Sequence, residues 1–416
     1  MREVLEIVSK FVSIFGFITI SIAIINFLRD LKHRRIEKKQ NRFSRIFKKL
    51  KVSKNQNSRD CYYFYKSKAY SIKTGVSLAK SSGLIIKKEW DVYPNKEPLK
   101  LLDEIKVNCI NPPQINPIIP KSFPDKKTYT DELMEYNLAP SSFFNGKTYC
   151  ASSFNKDNLT LDVYEAGYFD FYNTCKVKEY LYASGEIKNV FSENIFDLNN
   201  RACGIGVNTL TLIKFGDMDE RFNELPLMFF LMHKKNDRVA EGSGGTHVVP
   251  AGSFQPFTSL KELGKEENDI PKLSYTVYRE FCEEILNTSH MKELCSKKYL
   301  EDRKEYQELL KYSKVYFLGM GLEPFNTKME VLSLIYIDLS KDKEALNGFK
   351  ERYNVKEFKT EELKKVFDKT QDEGCIMPEH FYKGVLEQYF GDMYISPSAK
   401  EIIRILYERY DEIIKL

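Results

Sequence analysis

The sequence predicts an α+β fold, a mixed sheet with packed helices, preceded by one transmembrane helix. Three observations predict it. Four runs of apolar and β-branched residues, at 202–215, 225–233, 314–320 and 331–339, have the length and continuity of buried strands. Around and after them, apolar residues recur every three or four positions, the period of helices that cover a sheet. Ahead of them all, residues 11–28 are apolar apart from Ser, Thr, Gly and Asn26, and with Val4 to Val8 the run reaches the roughly 20 residues that a bilayer span needs.

The chain has 416 residues, 42% of them hydrophobic, which is enough for more than one domain and for a substantial core. Its net charge of +5 is unevenly placed. Directly after the apolar run come Arg29, Lys32, Arg34, Arg35, Lys38, Lys39, Arg42, Arg45, Lys48, Lys49, Lys51 and Lys54, against only Asp30 and Glu37. Residues 4–28 therefore read as a single-pass span of the cell inner membrane, and 29–58 as a basic linker kept on the cytoplasmic side with everything that follows. A cleaved signal peptide would need the basic residues before the apolar core, and a small-x-small cleavage site. Clustered Lys and Arg also suit nucleic acid, but beside a span the simpler partner is anionic membrane lipid, so no nucleic acid is expected. Ser13, Gly16, Thr19 and Ala23 are small residues of the kind that let membrane helices approach one another, a hint of a homo-oligomer.

Eight cysteines show no C-x-x-C pair, and five histidines show no pair at zinc-ligand spacing. In a cytoplasmic setting those cysteines are expected as reduced thiols, and the composition argues against a zinc centre or a Ser/His/Asp triad.

Residues 60–195 read as an N-terminal α+β extension, with strands at 62–65, 69–72, 84–92, 148–152 and 160–163 and an extended crossover at 111–124, where prolines forbid a helix. The core spans 196–340. Within it, 240–245 is a glycine-rich turn that reads as a hairpin loop; it has the flexibility to cradle phosphate but lacks the Lys-Ser/Thr that would follow in a phosphate loop. Residues 341–416 read as helical, at 360–369, 378–390 and 398–416, the last opened by a capping box from Ser398 to Glu401 and packed through Ile402, Ile405, Leu406, Tyr410 and Ile413.

The stretch that carries chemistry is Arg279-Glu280-Phe281-Cys282-Glu283-Glu284-Ile285. On an α-helix Glu280, Glu283 and Glu284 share one broad face, and Phe281 and Ile285 mark the buried one. Like charges at this spacing cost roughly 0.2–0.5 kcal/mol per pair, which a bound divalent cation would relieve. Arg-Glu-Phe-x-Glu-Glu resembles the helix of the Nudix box, and Val248-Val249-Pro250-Ala251-Gly252 resembles the strand and glycine turn before that helix. The resemblance implies that Glu280, Glu283 and Glu284 hold Mg²⁺ against the linked phosphates of a nucleotide. It further implies that Arg279 orients them, that Glu283, Glu284 and Arg279 serve any hydrolysis, and that Pro250, Ala251 and Gly252 form a wall of the pocket. By the same resemblance Glu330 or Glu323 would add a later carboxylate. Thr258 stands where the family has a glutamate, and Leu286 where it has a small residue.

Two functions follow as expectations. A soluble sensor domain behind a short membrane segment is similar to membrane effectors of bacterial cyclic-oligonucleotide anti-phage signalling, which implies a membrane-anchored nucleotide sensor whose ligand is a cyclic oligonucleotide or a dinucleotide. The alternative is a membrane-tethered, Mg²⁺-dependent hydrolase of nucleoside diphosphate derivatives.

Overall fold

The computed structural model describes residues 26–38, 40–42, 45, 84–87 and 90, and from 97 to the end all but 124–126, 137, 140–142, 188–194, 220–224, 236–244, 257–269, 287–303, 325, 354, 368–373 and 392–394. The expected strands at 62–65 and 69–72, all of the glycine-rich turn at 240–245 but its last residue, Thr258 and nearly all of the expected span at 4–28 lie outside these residues.

The organising strand is β5 (Ile205–Asp219), whose buried Val207, Leu210, Leu212 and Ile213 were expected from its apolar run. It is long enough to be used twice along one edge. From Thr211 onward it pairs antiparallel with β6 (Leu225–Lys235), whereas its earlier residues Gly206 to Asn208 pair with the three-residue β8 (Ala251–Ser253). Along the other edge it runs parallel to β10 (Met329–Asp338), which pairs antiparallel with β9 (Ser313–Leu322). Both of these match the predicted strands at 314–320 and 331–339. The short β1 (Lys100–Leu101) extends the sheet beyond β9, and β7 (Thr246–Val248) pairs antiparallel with the end of β6. Ile85 bridges to Leu322, so the extension and the core share this sheet.

A second, three-stranded sheet in the order β2-β4-β3 lies in the extension, formed by β2 (Lys106–Cys109), β3 (Lys147–Asn155) and β4 (Thr160–Gly167). The last two contain the predicted strands at 148–152 and 160–163. Backbone bonds from Tyr149 N to Phe254 O (3.0 Å) and from Ala151 N to Cys203 O (2.8 Å) sew β3 onto the main sheet. Residues 111–120 have no regular structure, as their prolines require.

Two expectations for the C-terminal region are corrected. Residues 378–390 do not begin as a helix: β11 (Gly374–His380) is a strand at the edge of the main sheet, antiparallel to β6, and the helix starts at Lys383. An edge strand tolerates Pro378 because only one of its sides needs backbone donors, and Ile376 alternates inward with an exposed Cys375 before it. The last long helix, Pro397–Glu408, is capped by Ser396, whose Oγ accepts from Ala399 N at 3.2 Å, with Pro397 in the first turn. Glu401 is not a cap partner. It is fully buried and receives Arg404 Nη2 at 2.6 Å. The expected face of Ile402, Ile405, Leu406, Tyr410 and Ile413 is buried throughout.

Residues 26–38 are helical with Phe27, Leu28 and Leu31 exposed, and Gln40 Nε2 donates to Tyr136 O at 3.3 Å. Among the described residues no helix is long and apolar enough to cross a membrane.

Candidate functional site

Pro271 precedes a helix of residues Leu273–Glu280 that runs on into a π turn, Phe281–Ile285. Leu273, Val277, Phe281 and Ile285, spaced by four, are all buried and fix this helix against the sheet. Tyr278 adds an edge-on contact to Tyr306, at 5.7 Å between ring centroids. Phe281 and Ile285 are the part of this stripe that the sequence implied; Leu273 and Val277 extend it.

The π turn changes what the carboxylates do. In an α-helix Glu280 and Glu284 would stack one above the other. Here the bond from Leu286 N reaches back to Phe281 O at 3.2 Å, five residues away, in a π turn that follows Glu280 and carries Glu284. They reach successive residues of one strand. Glu280 lies over Gly252, where any Cβ would overlap its carboxylate, and Glu284 Oε2 accepts from Ala251 N at 2.9 Å. Glycine is needed at 252 for this close approach and not for an unusual φ.

Arg279 is buried and holds the arrangement together. Its Nη2 donates to Glu280 Oε1 at 2.5 Å and to Ser253 O at 3.2 Å, and its Nη1 to Gln255 Oε1 at 3.5 Å. The orienting role implied for Arg279 thus has a geometry. The repulsion among the glutamates is relieved at Glu280 by the residue next to it and not only by a cation. Ser253 and Gln255, which were not singled out from the sequence, hold the guanidinium; their nearness to Gly252 is the signal that was there. The structure therefore brings Ala251, Gly252, Arg279, Glu280 and Glu284 into contact, with Pro250 immediately before them and Glu283 half-buried on the same turn.

Neither later glutamate joins them. Glu323 accepts from Asn326 N at 3.1 Å and closes the turn between β9 and β10. Glu330 pairs in register with Gly206, which pairs in turn with Ser253, so these three share one face of the sheet. Gly252, the next residue along β8, presents the opposite face, and Glu280 covers that one. Glu330 is buried over Gly206 and receives Asn208 Nδ2 at 2.5 Å.

Mg²⁺ takes one or two protein carboxylates and draws its other ligands from phosphate oxygens and water. Glu280 and Glu284, anchored on one short strand with Glu283 beside them, suit that donor pattern. Among the described residues no group of three or more His, Cys, Asp or Glu stands together as a cage for an ion. The residues fit a cation that arrives with, or is completed by, a phosphate ligand.

No protein-family model matches the chain, and no curated protein matches it. Among solved structures the chain is similar to a mutT/nudix family protein from Listeria innocua, at 11% identity and a TM-score of 0.26, over 51% of this chain and 96% of that one. A likeness at that score carries no argument, and the site stands on its own geometry within a mixed α+β fold.

Proposed function

We propose that the strand Ala251–Ser253 and the helix and π turn from Leu273 to Ile285 bind a nucleotide with linked phosphates. In this reading the chain is a membrane-anchored nucleotide sensor that acts on the membrane through residues 4–28. The observation that carries the reading is the coupling of Arg279, Glu280 and Gly252, in which a buried guanidinium fixes a carboxylate against a glycine strand while Glu284 takes the neighbouring backbone N–H. Glu280, Glu283 and Glu284 would hold Mg²⁺, which when bound neutralises the charge of the phosphates. The protein's own part is to orient the carboxylates through Arg279 and to let the ligand approach a strand with no side chain at Gly252. Binding is favoured over hydrolysis because Glu280 and Glu284 already serve as acceptors to Arg279 and to Ala251, whereas a general base has to take a proton from water.

The membrane side of the proposal rests on the sequence alone. The apolar run and the basic block after it anchor the chain to anionic lipid, and ligand-driven assembly of the cytoplasmic domains gathers the spans of several copies, a role suited to anti-phage defence. A ligand shifts such an equilibrium only by its differential affinity for the assembled form.

The test is calorimetry on the full chain in detergent, with a panel of cyclic oligonucleotides and of dinucleotides such as ADP-ribose derivatives, with and without Mg²⁺. Binding that needs Mg²⁺ and is weakened at least about tenfold, or about 1.4 kcal/mol, by Glu283→Ala or Glu284→Ala is expected. Variants that bind as the parent does would place the site elsewhere. Release of phosphate-containing products by a chain lacking residues 1–54 would make it a hydrolase with an anchor.

A further inference from the structure

Away from the acidic helix, two cations meet on one residue. Arg201 is 2% exposed, and among the described residues its guanidinium bonds only neutral oxygens: Asp197 O at 2.8 Å, Asn200 Oδ1 at 3.1 Å, Ile195 O at 2.6 Å and Thr327 O at 3.4 Å. Its Nε has no hydrogen-bond partner among the described residues. Lys178, half-buried on the helix Val177–Ser184, donates to Thr327 Oγ1 at 3.2 Å. Thr327 is itself fully buried and held at a φ of 57°, a conformation that a β-branched residue adopts only when its surroundings impose it. No carboxylate bonds either cation among the described residues. Glu179, the nearest in sequence, is bound to Lys176 at 2.9 Å and to Asn326 Nδ2 at 3.4 Å.

The other titratable groups facing Lys178 are thiols, Cys175 and Cys203. Burial pushes Cys203 up to about 11 against the pull of Arg201, so it supplies no negative charge near neutral pH. A buried guanidinium and a half-buried amine that both bond Thr327, with no carboxylate bonded to either among the described residues, form an arrangement that an anion would complete. Burial lowers the Lys178 pKa to about 8 and Arg201 pushes the same way, while Cys175 and Cys203 oppose them, so a larger share of this amine is neutral than on an ordinary lysine.

We propose that Lys178 is a carbamylation site whose partner is CO₂. The neutral amine nitrogen attacks the carbon of CO₂, the new N–C bond forms as one C=O π pair moves onto oxygen, and the amine's surplus proton passes to water. The product is a carbamate anion. It replaces a cation beside Arg201 with a counter-ion, and its oxygens accept from the Thr327 hydroxyl and the guanidinium. No oxidant or second co-reactant is needed. Surface lysines hold a far smaller share of neutral amine near neutral pH and lack the waiting guanidinium.

The experiment is carbon NMR on the full chain with labelled bicarbonate, combined with alkyl trapping of carbamates and peptide mass spectrometry. A bicarbonate-dependent carbamate resonance is expected in the parent, lost in Lys178→Arg and in Lys178→Met, with the trapped group on the peptide that holds Lys178. Thermal unfolding of the parent should shift upward with bicarbonate and not with chloride at equal ionic strength. The parent alone decides the matter if both variants fail to fold. Absence of the resonance, trapping spread evenly over exposed lysines, or equal stabilisation by chloride would overturn the proposal, the last by pointing to a non-covalent anion.

Discussion

Two glutamates in this molecule lie over glycines, one on each face of the same strands, and they are not equivalent. Glu280 covers Gly252 from the helix side, and Glu330 covers Gly206 from the other. Both carboxylates occupy the space where a Cβ would be, and both are fixed by a nitrogen at 2.5 Å, Arg279 Nη2 for the first and Asn208 Nδ2 for the second. The difference is in what surrounds them. Glu330 is a strand residue, 7% exposed, flanked by the buried Lys328 and bonded within the sheet. Glu280 sits at the end of a helix, 14% exposed by its side chain, next to a π turn that carries the half-buried Glu283 and Glu284. The same contact is an internal fastening at Gly206, whereas at Gly252 it lies beside the half-buried carboxylates to which the proposed ligand would come.

The largest effect is expected from removing Arg279. Arg279→Met leaves Glu280 largely buried without its cation and should destabilise the fold by about 3 kcal/mol, the low end for breaking a buried pair because Glu280 keeps some contact with water. Urea unfolding would show the loss as a lower midpoint, and the double variant Arg279→Met with Glu280→Met should recover much of it. If the single and double variants unfold alike, the pair is not coupled and the site loses its organising residue.

Adding one methyl group to each glycine comes next. A Cβ at 252 meets Cγ, Cδ and Oε1 of Glu280, so the whole side chain must move and its bond to Arg279 is lost; a Cβ at 206 meets chiefly Oε2 of Glu330, with Cδ and Lys328 Cε at 3.0 and 3.1 Å. Overpacking of this kind costs about 1–3 kcal/mol, so Gly252→Ala should fall near the upper end and Gly206→Ala near the lower. Both retain an ordinary backbone conformation, so the costs reflect sterics alone. The reverse order of unfolding midpoints would mean that the Glu330 side is the more rigid of the two.

Asn208→Ala separates the two faces further. It removes the amide that Glu330 accepts from and leaves a buried carboxylate short of a partner, at a cost of about 1–3 kcal/mol, while nothing on the helix side changes. Nucleotide binding by the folded variant should therefore match the parent. A loss of binding equal to that of Glu284→Ala would join the two faces into one site.

Legibility in the sequence followed the range of the interaction. Strands β5, β6, β9 and β10 were readable because each is a continuous apolar run whose burial needs no knowledge of its neighbours, and the helix was readable at Phe281 and Ile285, four apart, whereas its first turns at Leu273 and Val277 were not. Pro250 to Gly252 and Arg279 to Glu284 were assigned to one site by their resemblance to the Nudix box, since the residue types alone suggest only an acidic helix face. What the sequence hid depends on pairing or on helix type. The π turn substitutes one backbone bond for another without a residue that announces it. Strand β11 contains Pro378, which reads as a helix start until its place at the sheet edge is known. The separation of Glu330 from Glu280 is set by the register of β5 against β8 and β10, and the meeting of Lys178, Arg201 and Thr327 joins three segments far apart in the chain.

The finest distinction between fastening and site is Glu284→Gln. The substitution removes the charge but keeps a carbonyl oxygen of the same reach, so the bond from Ala251 N survives and stability should change by no more than about 0.5 kcal/mol. A structural acceptor needs only that oxygen. A ligand site needs the charge, because a hard divalent cation prefers a carboxylate to an amide and the linked phosphates it accompanies must be neutralised. Calorimetry on this variant should therefore show Mg²⁺-dependent nucleotide binding reduced about tenfold or more with an unchanged unfolding midpoint. The same exchange at Glu330 should do the opposite, lowering the midpoint while leaving binding alone, because there the carboxylate answers Asn208 inside the sheet. If Glu284→Gln binds as well as the parent, Glu284 is a fastening like Glu330, and the contrast between the two faces of β5 and β8 disappears.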